Sequence, residues 1–190
     1  MARVPSGPFH RGVNDPRGPD EGPERILRLR EFFLDVHEVS NAGFAEFVQA
    51  TGYVTEAERD PATARSWRRP ADGAPPPPDH PVVLVTWEDA RAYCAWRGRR
   101  LPTEAEWEKA ARGGDDRQWP WGGTPDPTRA NAWGDADPYP TTSPVGAFVA
   151  GVSPYGIADL AGNVWEWCAD WYDPDAYIVA APRDPQGPSS

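Results

Sequence analysis

The sequence predicts a small α+β domain with little regular secondary structure, in which short strands and short helices are joined by irregular loops. Three observations carry this. The chain contains 24 Pro and 18 Gly, and Pro and Gly at that density interrupt any long helix. It contains ten Trp, whose large apolar area lets a loop-rich chain still form a core. The hydrophobic period also changes along the chain: strand-like near the N-terminus, helical in the middle, and neither after Trp119. At 190 residues and 39% hydrophobic composition, the chain is expected to be one domain with a buried core.

Residues 1–22 read as loop or short strand. Arg25 to Arg30 alternates in part and predicts a strand, and Phe32 to His37 continues the signal. Ser40 is a favourable N-cap, with Phe44, Phe47 and Val48 following at helical spacing until Gly52 stops the helix. Residues 57–80 are polar, rich in Pro and aperiodic, and predict a surface loop. His80 to Val85 predicts a short strand. Thr86 and Asp89 then open a helix with Trp87, Ala90, Tyr93 and Cys94 on one face, closed by Gly98. Thr103 and Glu106 form a second capping pair before Trp107, Ala110 and Ala111, with Gly113 and Gly114 as the stop. No helix longer than two turns is predicted beyond Trp119. Residues 182–190 read as a ragged end, and Asp170, Asp173 and Asp175 as a solvated acidic loop.

The net charge of −10 argues against a nucleic-acid or anionic-membrane partner and leaves room for divalent cations. No apolar run is long enough for a transmembrane helix and the first residues have no apolar signal core, so a cytoplasmic location is expected. Cys94 and Cys168 are the two cysteines and read as buried thiols. His10, His37 and His80 are scattered without metal-ligand spacing.

Several ordered blocks go further. Asp35-Val36-His37-Glu38-Val39-Ser40-Asn41 is followed by Phe44 and Gly52-Tyr53. His80-Pro81-Val82-Val83 runs into Thr86-Trp87-Glu88-Asp89-Ala90. Arg100-Leu101-Pro102-Thr103-Glu104-Ala105-Glu106-Trp107-Glu108 precedes Ala110-Ala111-Arg112-Gly113-Gly114. Trp119-Pro120-Trp121-Gly122 and Ala130-Asn131-Ala132-Trp133 lead to Asp159-Leu160-Ala161-Gly162-Asn163-Val164-Trp165-Glu166-Trp167. From about Val4 to Tyr172 this series resembles the formylglycine-generating enzyme, or sulfatase-modifying factor, family. The resemblance implies a variant of the C-type-lectin fold and an oxidase that converts a sulfatase cysteine to formylglycine, so a sulfatase-like protein or peptide is the implied partner.

It also implies two structural calcium sites. One would draw on Asn131, the Ala132 carbonyl, Asp137 and the Tyr139 carbonyl. The other would use Asp159, the Gly162 and Val164 carbonyls and Glu166. Calcium takes six to eight oxygens of mixed kind, so these donor sets suit it. The alternative is that Asn131, Asp137 and Asp159 are ordinary turn residues and that Glu166 pairs with a buried Arg. In the family the catalytic Cu(I) is held by two cysteines in a later segment, after an "R-G-G-S" strand, and no such blocks follow Tyr172. The domain is therefore expected to be incomplete at its C-terminus and inactive as this chain, with no catalytic residue assigned. Edges and aromatic surface are expected to stand open. A non-catalytic ligand-binding module on the same lectin-like fold is the alternative. A sulfoxide synthase of the ergothioneine type ranks last, because its additional helical domain is absent.

Overall fold

In the computed structural model, residues 1–14, 21–70, 74–132 and 137–188 are described. Four strands open the chain: β1 (Ala2–Val4), β2 (Gly7–Arg11), β3 (Arg25–Leu29) and β4 (Phe32–Leu34). They form two antiparallel pairs. β1 lies on β4 with Arg3 opposite Phe33, and β2 lies on β3 with Phe9 opposite Leu27. Alternation places Phe9, Leu27 and Leu29 inward, and β4 ends at Leu34, earlier than the hydrophobic signal to His37 suggests.

The helices follow their predicted starts. α1 (Asn41–Thr51) is capped by the Ser40 side chain and closed by Gly52 in the left-handed conformation. α3 (Trp87–Trp96) and α4 (Glu104–Arg112) each have a complete capping box, at Thr86/Asp89 and Thr103/Glu106. A one-turn helix, α2 (Glu56–Arg59), has the same device at Thr55/Glu58. Beyond α4 the described residues form two 3₁₀ turns, Pro127–Arg129 and Val149–Gly151, and the four-residue α5 (Ala176–Val179).

The core has three adjoining parts, and α4 serves two of them. Ala110 and Ala111 join Val4, Ile157 and Leu160, while Ala105 joins Phe9, Leu27 and Leu29. The third part is aromatic: Phe44, Phe47, Val48, Trp67 and Tyr93 between α1 and α3. Asp89, fully buried, ties that part to α2 by accepting from the Tyr53 hydroxyl at 2.9 Å and from the Glu56 and Thr86 amides at 3.3 and 2.9 Å. Lys109, also buried, donates to the Pro5 and Gly7 carbonyls at 2.8 and 3.1 Å, anchoring the bend between β1 and β2 to α4.

Four expectations are corrected. Residues 57–80 are not all surface: α2 begins the stretch, and Trp67 is buried against Phe44, their ring centres 5.1 Å apart. A Trp outweighs the polar composition around it because it buries so much apolar area. His80 to Val85 forms no strand. Pro81 lacks an N–H, only a bridge links it to Ser40, and Leu84 takes a left-handed φ of 57° that ends extended pairing. Residues 182–188 are tied down, since Arg28 N–H donates to Pro182, Asp184 N–H to Arg28 and Trp171 N–H to Pro188 at 2.9, 2.9 and 3.0 Å. Asp170 is not simply solvated: its carboxylate accepts the Glu104 amide at the start of α4.

Candidate metal centre and groove

The turn from Asp159 to Glu166 is shaped by two residues with left-handed backbone, Asp159 (φ 59°) and Asn163 (φ 58°), a conformation that Asp and Asn tolerate better than most residues. Gly162 between them faces the Asn131 carbonyl so closely that a Cβ there would lie 2.3 Å from its oxygen. Only glycine fits. The two loops predicted to hold separate sites are thus packed against each other.

Asn163 joins them. Its N–H donates to the Asn131 carbonyl at 2.9 Å, and its side-chain oxygen accepts from the Ser143 amide at 2.9 Å and from the Asn131 side chain at 3.3 Å. Its side-chain amide donates to Glu38 at 2.7 Å. Sequence reading gave Asn163 and Glu38 no role, although both stand in the quoted blocks. Nothing in local spacing links two residues this far apart in the chain.

Glu38, Asp159 and Glu166 form an acidic group. Burial, then the charges of Asp159 and Glu166, push Glu38 up to about 8, against the opposing effect of Asn163 and the Val164 amide. Its Oε1 is buried with no hydrogen-bond partner. Glu166 is pushed up to about 7, first by desolvation and then by Asp159, with the Trp107 indole favouring its charged form. Glu166 is itself solvent-exposed at the mouth of a groove, so screening by solvent tempers that rise. Asp159 is also raised by burial, partly offset by the Gly146 amide, which donates to it at 2.6 Å, and by His37. Among the described residues no three His, Cys, Asp or Glu side chains are placed to hold a metal ion by themselves. A cation here would need backbone oxygens to complete its coordination.

At the other predicted site, Asp137 accepts the Ala132 and Tyr139 amides at 3.2 and 2.8 Å, and the Asn131 side chain donates to the Thr141 carbonyl at 2.7 Å. The loop shares the ordinary turn chemistry of Asn and Asp. Trp133 lies outside the described residues.

The Glu38 and Glu166 end belongs to a larger groove of about 1010 Å³, walled by β4, residues 82–85, α3 and the turn at 163–167. Cys94 borders it. Both cysteines are free, and burial raises both thiols, Cys168 to about 12. The His37 ring lies over Gly146, and His80 contacts the Thr142 hydroxyl at 2.8 Å. No helix among the described residues is long and apolar enough to cross a membrane.

Comparison with known proteins matches the sulfatase-modifying factor enzyme 1-like domain over residues 1–187. A formylglycine-generating enzyme of Thermomonospora curvata is 41% identical over 239 aligned positions, covering 100% of this chain and 78% of that protein. An inactive C-alpha-formylglycine-generating enzyme 2 of Bos taurus is 42% identical, covering 90% of this chain and 71% of its own length. In structure, PvdO from Pseudomonas aeruginosa superposes with a TM-score of 0.79 and 28% identity over 99% of this chain and 75% of that one. The alignment to the Thermomonospora protein has more positions than this chain has residues, so that relative carries insertions within the matched span. The fold is therefore the formylglycine-generating-enzyme type of α+β domain, and the chain belongs to the sulfatase-modifying factor enzyme 1-like domain family.

Proposed function

We propose that this chain is the scaffold portion of a formylglycine-generating type of oxidase domain, directed at a cysteine of a sulfatase-like protein or peptide, and that the chain alone does not carry out the oxidation. The observation that carries the reading is where its two cysteines stand: Cys94 lies on α3 and Cys168 beyond the 163–167 turn, and among the described residues neither belongs to a group of three or more His, Cys, Asp or Glu side chains placed for a metal. The family relation points to copper held by paired thiolates, and no step is assigned to these two residues. Two unpaired cysteines also suit a cytoplasmic, reducing location.

Structural calcium fits better. The crowded carboxyls of Glu38, Asp159 and Glu166, and the orphaned Glu38 Oε1, are what a hard divalent cation would relieve. Asp159, the Gly162 and Val164 carbonyls and Glu166 would hold it, with Glu38 and Asn163 behind them. A second calcium on Asn131, Ala132, Asp137 and Tyr139 is part of the same proposal.

A second reading, a non-catalytic ligand-binding module, is favoured by the similarity to a relative that is itself named inactive. The test is incubation of the purified chain with Cu(I), O₂ and a sulfatase-type C-x-P-x-R peptide, read by mass spectrometry. The expected result is an unmodified peptide cysteine. Formylglycine produced by this chain would overturn the proposal. Retained peptide binding without conversion would favour the module.

A further inference from the structure

Residues 169–182 cross the start of α4 as a strap. Ala169 N–H donates to the Pro102 carbonyl at 2.7 Å, the Asp170 carboxylate accepts the Glu104 amide, and Arg28 N–H donates to the Pro182 carbonyl at 2.9 Å. Between these anchors, residues 171–182 include no buried residue, and Ile178 and Val179 of α5 stand in solvent. Apolar burial therefore contributes little to holding the middle of the strap. Polar contacts around Tyr177 hold it instead. The Tyr177 ring is seated on Gly12, where a Cβ would lie 2.8 Å from its Cδ1, and the Arg11 guanidinium lies 4.1 Å from the ring centre. Arg11 donates to the Ala176 carbonyl at 3.3 Å, and Arg25 to the Tyr177 and Ile178 carbonyls at 3.2 and 2.8 Å. The Tyr177 hydroxyl oxygen lies 2.8 Å from Glu104 Oε1 and 3.3 Å from Glu108 Oε2.

That hydroxyl has one proton to donate and stands between two carboxyl groups. Glu108 Oε1 accepts from the Gly12 amide at 2.8 Å and from the Arg112 guanidinium at 2.6 Å. Among the described residues Glu108 Oε2 has only the tyrosine oxygen within hydrogen-bonding distance, since Arg11 Nε is 3.8 Å away and makes no hydrogen bond. Glu104 Oε2 is held by Arg11. We propose that Glu104 and Glu108 share one proton through a chain, Glu108 O–H to the Tyr177 oxygen and Tyr177 O–H to Glu104 Oε1, and that residues 171–182 form a pH-sensitive strap that opens when this proton leaves. With it gone, two carboxylates face one hydroxyl, and the buried one loses its partner at Oε2. Burial, and then the Glu104 charge, hold Glu108 above its ordinary value against the Gly12 amide and Arg112. Tyr177 is raised by burial and then by Glu108 and Glu104, so its hydroxyl keeps its proton while the carboxyl pair titrates. The other ionisable groups around the latch are Arg11 on β2, Arg25 on β3, Arg112 on α4, and Asp170 and Cys168 on the far side of Glu104. The arginines stay charged, and the Cys168 thiol, pushed up to about 12, stays neutral. A carboxyl raised in the closed state favours closure at low pH, and that preference is lost as pH rises through its closed-state value. Opening would loosen the seam between Pro182 and β3 and uncover Arg11 and Glu104. The inference does not depend on the oxidase reading.

The experiment is hydrogen–deuterium exchange of the full chain, read by mass spectrometry on peptides covering residues 171–182, from about pH 5 to about pH 9. A Glu108→Gln chain is measured alongside, so that the ratio of the two rates cancels the chemical pH dependence of exchange. Gln keeps an oxygen for Gly12 and Arg112 and offers an N–H to the Tyr177 oxygen, so it stands for the protonated carboxyl. The ratio of wild type to variant should be about one at low pH and climb by up to about tenfold per pH unit above the closed-state value, the limit for one linked proton. Tyr177→Phe, which keeps the ring and removes the chain of hydrogen bonds, should exchange about tenfold faster in this segment at low pH, with the protection of α1 unchanged. A ratio constant across pH, a Tyr177→Phe strap as protected as wild type, or a Glu108→Gln chain that loses protection in the strap or in α1 at low pH would each overturn the proposal.

Discussion

Glu38 and Asp159 are carboxyl groups whose charge is disfavoured by burial, and the exposed Glu166 beside them adds a third negative charge. The sign of the consequence follows from linkage. A carboxyl whose folded value exceeds its unfolded value binds more protons in the folded state, so stability falls as pH rises between the two. For Glu38 that window runs from 4.5 to about 8. The calcium-free chain should therefore melt higher at about pH 5.5 than at about pH 8, and calcium should narrow the difference. Glu38→Gln, which keeps the Asn163 contact without a charge, should flatten the slope in chelator, as thermal melts across pH would show. A slope unchanged by Glu38→Gln would remove Glu38 from the account. Part of this acidic group was legible: Asp159 and Glu166 stand within one short block. Glu38 was not, because its coupling to that block exists only through Asn163 and three-dimensional packing.

Elements show a similar division. Capping was readable because it depends on residues three apart, and Thr86/Asp89 and Thr103/Glu106 form as the spacing dictates. Thr103→Ala should destabilise the chain by about 1 kcal/mol in denaturant melts. Trp67 was not readable, because polar, Pro-rich sequence on both sides conceals a residue held by Phe44 and Glu58. Trp67→Ala should cost about 3–5 kcal/mol, far more than a surface-loop substitution. A change below about 1 kcal/mol would show that the loop is not anchored there. The predicted strand at His80 to Val85 failed for a tertiary reason, the turned backbone at Leu84 beside the groove.

At the scale of the whole molecule, architecture was visible in composition and block order, but the groove was not. It arises from β4, residues 82–85, α3 and the 163–167 turn, which meet only in the fold. A chain this loop-rich, with its helices short and its strands in pairs, has few long-range hydrogen-bonded elements to hold the 131–163 region. Asn163 and a cation would supply that connection, and ligand binding to the folded state alone raises its stability by mass action. The most direct measurement is the thermal melt of the purified chain in calcium and then in excess chelator near neutral pH. The account predicts a cooperative transition whose midpoint falls clearly on chelation and recovers when calcium is restored. A cooperative transition with the same midpoint in both conditions would contradict it.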